Sequence, residues 1–294
     1  MNVGKLATCI LGFVLGLMAT ATAADAPPLT FKFTTVNVPG AVDTQPHGVN
    51  NAGVVVGQYR DKNLAWHGYI LNGKKLTTLD DPNGFEAGCF GINANGPIVI
   101  VGNYFNNFTD NFMGFLYKNG KFMNIPGPAG ATASSANGIN DRGEIVGSYM
   151  DSAGVTHGFL LRDRAYTTLD VPGASWTIAT GINNKGRVIL IWLGSQNYET
   201  SLYNGKNYKT MNVPGADESE ASGINDGGDI TYAWFHLNSN IAHGALLHGG
   251  KYFKFDDPKG VDRETFASGI NDHHVIVGGY FNHNFDMQGF KATY

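Results

Sequence analysis

Four glutamates in the sequence are candidates for acid–base chemistry. They lie in irregularly charged segments: Glu86, Glu218, Glu220 and Glu264. A pair of carboxyl groups about 5 to 9.5 Å apart can hydrolyse a glycosidic bond, one as acid and the other as base or nucleophile. The sequence does not decide whether any two of them meet in one pocket. A glycan hydrolase or lyase is therefore one hypothesis, and it rests on these four side chains.

Aromatic residues beside amides and carboxylates indicate a second chemistry, the binding of sugars. A sugar ring has an apolar C–H face and a rim of hydroxyls, which aromatic and polar side chains can match. Six Asn- and Asp-rich loops carry such residues: 60–66, 105–112, 150–156, 193–199, 235–242 and 281–287. The predicted ligand-binding residues are Phe108, Tyr198, Glu218, Glu220, Phe235, Arg263, Glu264 and Phe285. The alternative is that these loops are solvated turns with ordinary Asn hydrogen bonding.

Other reactive residue types recur at equivalent positions, which favours a structural role. An Asx-x-Pro segment occurs with Asn37, Asp80, Asn124, Asp170, Asn212 and Asp256. Because three of the six are Asn, which cannot titrate, we expect turn hydrogen bonds rather than calcium or acid–base chemistry. His67, His157 and His243 share one position, with Met113, Ser201 or Gln288 near it elsewhere, and are predicted to be half-buried and hydrogen-bonded. Cys89 stands where other copies have Ala, which predicts a small buried residue rather than a nucleophile.

These positions belong to a repeat that sets the architecture. A Gly-[Ile/Val]-Asn tripeptide ends at Asn50, Asn93, Asn140, Asn183, Asn225 and Asn271, with spacings of 43, 47, 43, 42 and 46. The third copy, from Gly138 to Ala174, predicts strands over 144–150, 157–161 and 166–170, and the residues before the tripeptide predict a fourth. Four short strands in about 44 residues, separated by Gly-marked turns, are typical of a propeller blade.

The two ends of the chain indicate a closed ring. The last copy stops after its third strand and lacks the Asx-x-Pro segment, which is found instead at residues 33–40. We therefore predict an all-β, six-bladed β-propeller of about 44 residues per blade. Its repeats start near residues 48, 91, 138, 181, 223 and 269, and the N-terminal strand at 31–40 closes the last blade. Closure leaves only short, protected strand edges.

The repeated motifs also resemble a known family. Gly-Ile-Asn-x-x-Gly-x-[Ile/Val]-Val-Gly, followed by His157-Gly158-Phe159-Leu160 and a Leu-Asp-x-Pro-Gly stop, is similar to the HAF-type extracellular repeats. The family's His-Ala-Phe corresponds to His157-Gly158-Phe159, where Gly replaces the Ala, and the fourth repeat lacks the His. The resemblance implies secretion and a propeller-like repeat, and it implies no activity or catalytic residue.

The N-terminus is predicted to be a secretory signal. Lys5 precedes an apolar segment at 6–18, and Ala21-Thr22-Ala23 is typical of a cleavage site. We expect cleavage near Ala23, one propeller domain over 24–294, and a periplasmic or extracellular location. The apolar segment is too short to span a membrane, and no later segment is long enough. The net charge of −4 argues against a nucleic-acid binder.

Three functions follow, and the sequence leaves them open. We favour a non-catalytic binding or scaffold propeller with a glycan or envelope protein as its partner, no cofactor and no metal. The alternatives are a propeller glycan hydrolase or lyase and a purely structural extracellular repeat protein. Repeats four and five break the pattern most, since Leu190 and Tyr232 replace the strand glycine found as Gly57, Gly147 and Gly278. We expect a functional site on the face of these two blades.

Overall fold

The computed structural model describes residues 29–239 and 241–294. These residues form six antiparallel sheets of four strands each, arranged as a six-bladed β-propeller. The sequence predicted this fold class. The proposed signal sequence at 1–23 lies outside the described residues.

Five blades are built from four consecutive strands. Blade 1 contains β2 (Asp43–Val49), β3 (Val55–Arg60), β4 (Trp66–Asn72) and β5 (Lys75–Leu79), and blade 2 contains β6 (Gly84–Ile92), β7 (Val99–Asn106), β8 (Asn111–Lys118) and β9 (Lys121–Ile125). Blade 3 contains β10 (Ala133–Ile139), β11 (Ile145–Met150), β12 (Thr156–Arg162) and β13 (Ala165–Leu169). Blade 4 contains β14 (Thr177–Ile182), β15 (Val188–Leu193), β16 (Tyr198–Tyr203) and β17 (Tyr208–Thr210), and blade 5 contains β18 (Glu218–Ile224), β19 (Ile230–Phe235), β20 (Ala242–His248) and β21 (Lys251–Phe255).

Blade 6 joins the two ends of the chain. It contains β22 (Phe266–Ile270), β23 (Val275–Phe281) and β24 (Met287–Thr293), and its outer strand is β1 (Lys32–Thr35). The register of β1 on β24 runs from Lys32 opposite Thr293 to Thr35 opposite Phe290. The predicted closure by the N-terminal strand is therefore confirmed. A single 3₁₀ turn, Val261–Arg263, precedes β22 and was not expected from the sequence.

The repeated glycine of Gly-[Ile/Val]-Asn lies where the first strands of neighbouring blades meet around the axis. A Cβ atom on Gly91 would lie 2.9 Å from the Cα atom of Gly138, and one on Gly138 would lie 3.0 Å from the Cα atom of Gly181. The ring closes in the same way, since a Cβ atom on Gly269 would lie 2.9 Å from the Cα atom of Gly48. Any side chain here would push the blades apart, which explains the recurrence of glycine.

The repeated asparagine holds both its own hairpin and the next blade. Its Oδ1 accepts a backbone N–H from the start of the second strand, as between Asn50 and Val54 at 2.9 Å. Its Nδ2 donates to the backbone carbonyl of the next asparagine in four places, at 2.9 to 3.2 Å: Asn140 to Asn183, Asn183 to Asn225, Asn225 to Asn271 and Asn271 to Asn50. The repeated asparagine therefore has one structural role in its own turn and a second between blades.

The break in repeats four and five is an exchange of volume inside the blade. In the other blades a glycine on the second strand faces an aromatic residue on the third: Gly57 and Tyr69, Gly102 and Phe115, Gly147 and Phe159, and Gly278 and Phe290. In blades 4 and 5 the large residue changes strand, so that Leu190 faces Ser201 and Tyr232 faces Ala245. Leu190 and Tyr232 are fully buried. This departure from the repeat therefore preserves core packing, and neither side chain reaches the surface.

Candidate functional site

The histidines at the shared blade position are paired with the Asx-x-Pro segment. The Nδ1 atoms of His67, His157 and His243 lie 3.0, 2.8 and 3.1 Å from carboxylate oxygens of Asp80, Asp170 and Asp256. Each imidazole also stacks on the aromatic residue of the second strand, with ring centroids 4.7 to 5.1 Å apart. The predicted half-buried, hydrogen-bonded histidine is confirmed.

Whether the Asx-x-Pro segment has Asp or Asn depends on the side chain to which that residue is hydrogen-bonded. Blades without the histidine use Asn: Asn37 donates to Gln288, and Asn212 donates to Glu199 Oε2 at 3.3 Å. Glu199 lies opposite Trp192 as His243 lies opposite Trp234, so the equivalent position in blade 4 is Glu199 and not Ser201. An Asp therefore occurs where its partner is a histidine, and these carboxylates are structural.

Cys89 lies in the core and has no path to a substrate. It is fully buried on β6, and a Cβ atom on Gly68 would lie 2.8 Å from its Sγ. Burial raises the pKa of the Cys89 thiol to about 12. Since the thiolate is the reactive form, this residue is not a nucleophile near neutral pH. The prediction of a small buried residue is confirmed.

The predicted aromatic binding residues lie on the face formed by the loops between second and third strands. Phe108 and Phe285 are 86% and 72% exposed, and they lie in blades 2 and 6. Tyr198 in blade 4 is partly exposed, and its ring centroid is 5.5 Å from that of Trp176. Phe235 in blade 5 packs 6.4 Å from Phe266. Blade 2 is separated from blades 4 to 6 in the ring, so Phe108 is not part of the same group.

The predicted charged residues divide into two groups. Glu218 and Glu220 lie two residues apart on β18 and thus point to the same side of the strand. Glu218 Oε1 accepts the backbone N–H of Tyr198 at 3.4 Å and faces Phe235 across the sheet. Arg263 is exposed in the 3₁₀ turn, and Glu264 follows it. Burial raises the pKa of Glu264, and the nearby Asp262 adds to this effect.

A funnel at one mouth of the central channel is lined by side chains from all six blades. Its wider part has a volume of about 380 Å³ and is lined by His47, Phe90, Asn103, Ser135, Asn137, Ser148, Ile178, Thr180, Ser222 and Ser268. A side lobe of about 240 Å³ shares His47, Ser222 and Ser268 and adds Gln45, Pro46, Glu220, Ala233, Phe266, Ala267, Gly279 and Met287. We call the two together the channel funnel. Beyond it, the glycines and aliphatic residues of the tripeptides leave only about 70 Å³.

The sequence reasoning missed most of the funnel. One set of lining residues directly precedes the repeated glycine: His47, Phe90, Asn137, Thr180, Ser222 and Ser268. A β-bulge falls at this residue in blades 1 to 5. The indication in the sequence was that this position varies beside a tripeptide that hardly varies at all. Of the predicted residues, only Glu220 lines the funnel.

Two titratable side chains in the funnel have environments that oppose their charged forms. Burial, together with the neighbouring Glu218, raises the pKa of Glu220 to about 7. Burial lowers the pKa of His47 to about 4, so its imidazole is neutral near pH 7. The buried Nε2 of His47 has no hydrogen-bond partner within residues 29–239 and 241–294. Unsatisfied buried polar groups destabilise a fold, and groups with shifted pKa values concentrate at functional sites.

A second concave region lies on blade 4. It has a volume of about 510 Å³, and its walls include Trp192, Lys206 and Tyr208 together with Pro172 from the preceding connection. The indole N–H of Trp192 donates to Ser201 Oγ at 3.0 Å, so this ring is held in place by the blade. In this blade-4 cavity the Trp192 indole and the Ser201 hydroxyl already satisfy each other, whereas His47 Nε2 in the funnel has no hydrogen-bond partner within residues 29–239 and 241–294, so we regard the channel funnel as the main site.

Across residues 29–239 and 241–294, no cluster of three or more His, Cys, Asp or Glu side chains is placed to hold a metal ion. Over the same ranges no helix has the length and apolarity needed to cross a bilayer.

The fold is shared with solved propellers of several functions. Virginiamycin B lyase from Staphylococcus aureus aligns with a TM-score of 0.52 at 13% identity, covering 90% of this chain and 100% of that one. A variant of the Aleuria aurantia lectin in complex with alpha-methyl-L-fucoside gives 0.51 at 14% identity, with coverage of 88% and 93%. The propeller domain of the Trilobed protease from Pyrococcus furiosus gives 0.52 at 10% identity, with coverage of 87% and 94%. No protein-family model and no curated protein matches the sequence. At these identities the similarity establishes the fold alone, and the chain is similar to both binding and catalytic propellers.

Proposed function

We propose that this protein is an exported, non-catalytic binding propeller that holds a glycan in the channel funnel. The observation that carries the proposal is the variation in the lining of the funnel. The residue before the repeated glycine lines it in all six blades, and five different residue types occupy these six equivalent positions. The frame around them repeats almost unchanged. Variation confined to a cavity on a repeated frame is what selection for a ligand would produce.

The chemistry of the funnel suits a sugar. Seven of the ten residues that line its wider part carry a hydroxyl or an amide group, and Phe90 supplies an aromatic ring that can cover an apolar C–H face. The volume of about 380 Å³ falls within the range of about 300 to 1,000 Å³ typical of small-molecule sites. A lectin bound to a fucoside is among the proteins that share the fold, which makes glycan binding by this architecture reasonable.

Export is part of the proposal because it determines which ligands the protein meets. It is supported by the predicted signal sequence at 1–23 and by the similarity of the repeats to HAF-type extracellular repeats. Export would place the protein in the periplasm or outside the cell, among envelope glycans and proteins.

The test is thermal unfolding of the mature protein against a panel of envelope oligosaccharides. A ligand at 100 times its Kd stabilises the native state by about 2.7 kcal/mol, which is readily measured. Ser222→Tyr should fill the funnel and abolish the shift, because the Ser222 side chain lies between the two lobes. Phe108→Ser, on an exposed loop of blade 2, should retain it. A shift that survives in the first variant and disappears in the second would place binding on the loops instead.

Glu220 also favours a second candidate function, a glycan hydrolase or lyase. A carboxyl group with a pKa of about 7 is suited to act as a general acid near neutral pH, and Glu218 provides a second carboxylate on the same side of β18. The test is product analysis after incubation with polysaccharides that bind. Turnover that is lost in Glu220→Gln would support catalysis. Binding without turnover would contradict it.

A further inference from the structure

The side lobe of the channel funnel contains a carboxylate, that of Glu220, which has no partner in the described part of the chain. We propose that this lobe recognises a protonated amine on the glycan, as in an amino sugar, with Glu220 as its counter-ion. The inference rests on the proposed binding function and names the substrate class of the same site.

The carboxylate of Glu220 lies in the wall of a cavity and makes no ion pair or hydrogen bond with any residue in 29–239 or 241–294. Asp43, on the inner strand of blade 1, shows the usual alternative. Its Oδ2 lies 2.5 Å from Arg60 Nε, and its Oδ1 accepts the backbone N–H of Met287 at 2.7 Å. The fold thus neutralises the carboxylate of Asp43 and leaves that of Glu220 open to a ligand.

The residues around Glu220 favour a cation over a neutral or anionic group. Among residues 29–239 and 241–294, no Lys or Arg lines either lobe of the funnel. Glu218, two residues before it, adds negative charge, and His47 is uncharged near pH 7. A cationic group would favour the ionised form of the Glu220 carboxyl and pair with it, whereas a neutral ligand would gain no such attraction and an acidic sugar would be repelled.

The apolar wall of the lobe complements an ammonium group as well. Phe266 and Met287 line the same lobe as Glu220, and the ring centroid of Phe266 lies 5.9 Å from that of Phe281. An ammonium ion between a carboxylate and an aromatic ring gains a charge-assisted hydrogen bond and a cation–π contact. Gln45 also lines this lobe; its Oε1 accepts the Gln58 amide at 2.7 Å, and its Nε2 makes no hydrogen bond within residues 29–239 and 241–294, so this donor can meet a hydroxyl of the sugar.

The decisive experiment is a calorimetric titration near neutral pH with two trisaccharides of the same backbone, one with free amino groups and the other with uncharged acetamido groups. One is the β-1,4 trimer of glucosamine, and the other is its N-acetylated form. We expect the glucosamine trimer to bind at least tenfold more tightly. The preference should vanish in Glu220→Gln and persist in Asp110→Asn, which removes one negative charge from an exposed loop of blade 2. Circular dichroism confirms that each variant is folded.

Each failure has a distinct meaning. Equal or tighter binding of the N-acetylated trimer, abolished by Ser222→Tyr, would overturn the amine inference and leave the proposed function in place. A preference for the amine that persists in Glu220→Gln would overturn the assignment of Glu220. If neither the trimers nor any glycan of the panel bound, the proposed function and the inference would both fall.

Discussion

Replacing Glu220 with Gln should make the protein more stable above neutral pH and leave its stability almost unchanged in acid. The pKa of this carboxyl is raised from 4.5 to about 7 by burial and by Glu218. Between these two values the native state holds a proton that the unfolded chain has released. The wild-type protein therefore loses stability as the pH rises through this window, because a raised acid pKa favours folding only at low pH.

The size of the stability difference between variant and wild type follows from the shift in the pKa of Glu220. Each pKa unit corresponds to about 1.36 kcal/mol, so the full shift corresponds to about 3 kcal/mol. Gln has the same shape and no charge. The free energy of unfolding of Glu220→Gln should therefore exceed that of the wild type by up to about 3 kcal/mol at pH 8 and match it at pH 4.

Urea unfolding followed by tryptophan fluorescence at pH 4, 6 and 8 measures this difference. The comparison must be made between variant and wild type, since His47 acts in the opposite direction. Its pKa is lowered from 6.5 to about 4, so its contribution is lost as the pH falls through that range. Asp110→Asn serves as the charge-matched control. If Glu220→Gln and the wild type differed by a constant amount at all three pH values, the environment assigned to Glu220 would be wrong.

Three further predictions concern the frame that holds the funnel. In blade 5, Tyr232→Gly and Ala245→Phe should each destabilise the fold by more than about 2 kcal/mol. The double variant restores the arrangement of blade 3, so a double-mutant cycle should show that at least about 2 kcal/mol of stability is recovered. Purely additive costs would contradict the exchange of volume between the two strands. Phe33→Ala should lower the free energy of unfolding by urea by about 2 kcal/mol, because the Phe33 side chain packs on Phe290 where β1 closes the propeller. Thr34→Ala, at an exposed position of the same strand, should lower it by almost nothing. Equal losses of stability would contradict a stabilising role for this closure. Burial alone would lower the pKa of His157, but its hydrogen bonds with Asp170 and Asp151 raise it. The free energy of unfolding of His157→Gln should therefore be lower than that of the wild type below about pH 6.5, and the difference should narrow as the pH rises. A difference independent of pH would refute the charged pair.

The repeat period and the strand signals were sufficient to predict the fold. Turns, strand length and alternation are local properties, and the missing strand at one end matched the extra strand at the other. Structural roles for the repeated Asn, the shared His and Cys89 could also be predicted. A residue that recurs at equivalent positions, or an isolated thiol in a position held by Ala in four other blades, is explained by the blade itself.

The candidate site was predicted much less well. The sequence directed attention to exposed aromatics such as Phe108 and to the irregular blades 4 and 5. The structure shows Leu190 and Tyr232 filling the core, and it places Phe108 in blade 2, apart from the predicted residues of blades 4 to 6. Pairing between strands decided the first point, because a large residue on the second strand is balanced by a small residue on the third. No reading of one strand alone reveals that balance.

The amino-acid sequence by itself determined the number of blades, the strands within each blade and the closure of the ring, because these depend on local turns and on a period of about 44 residues. Only the tertiary structure decided which side chains meet at the axis. The β-bulge before each repeated glycine and the ring of blades bring His47, Phe90, Asn137 and Thr180 around one cavity, although at least 43 residues separate consecutive members along the chain. The same arrangement places Glu220 in the wall of the side lobe with no partner among residues 29–239 and 241–294. Convergence of distant residues, and the solvation they lose there, arise from packing and are encoded by no single segment.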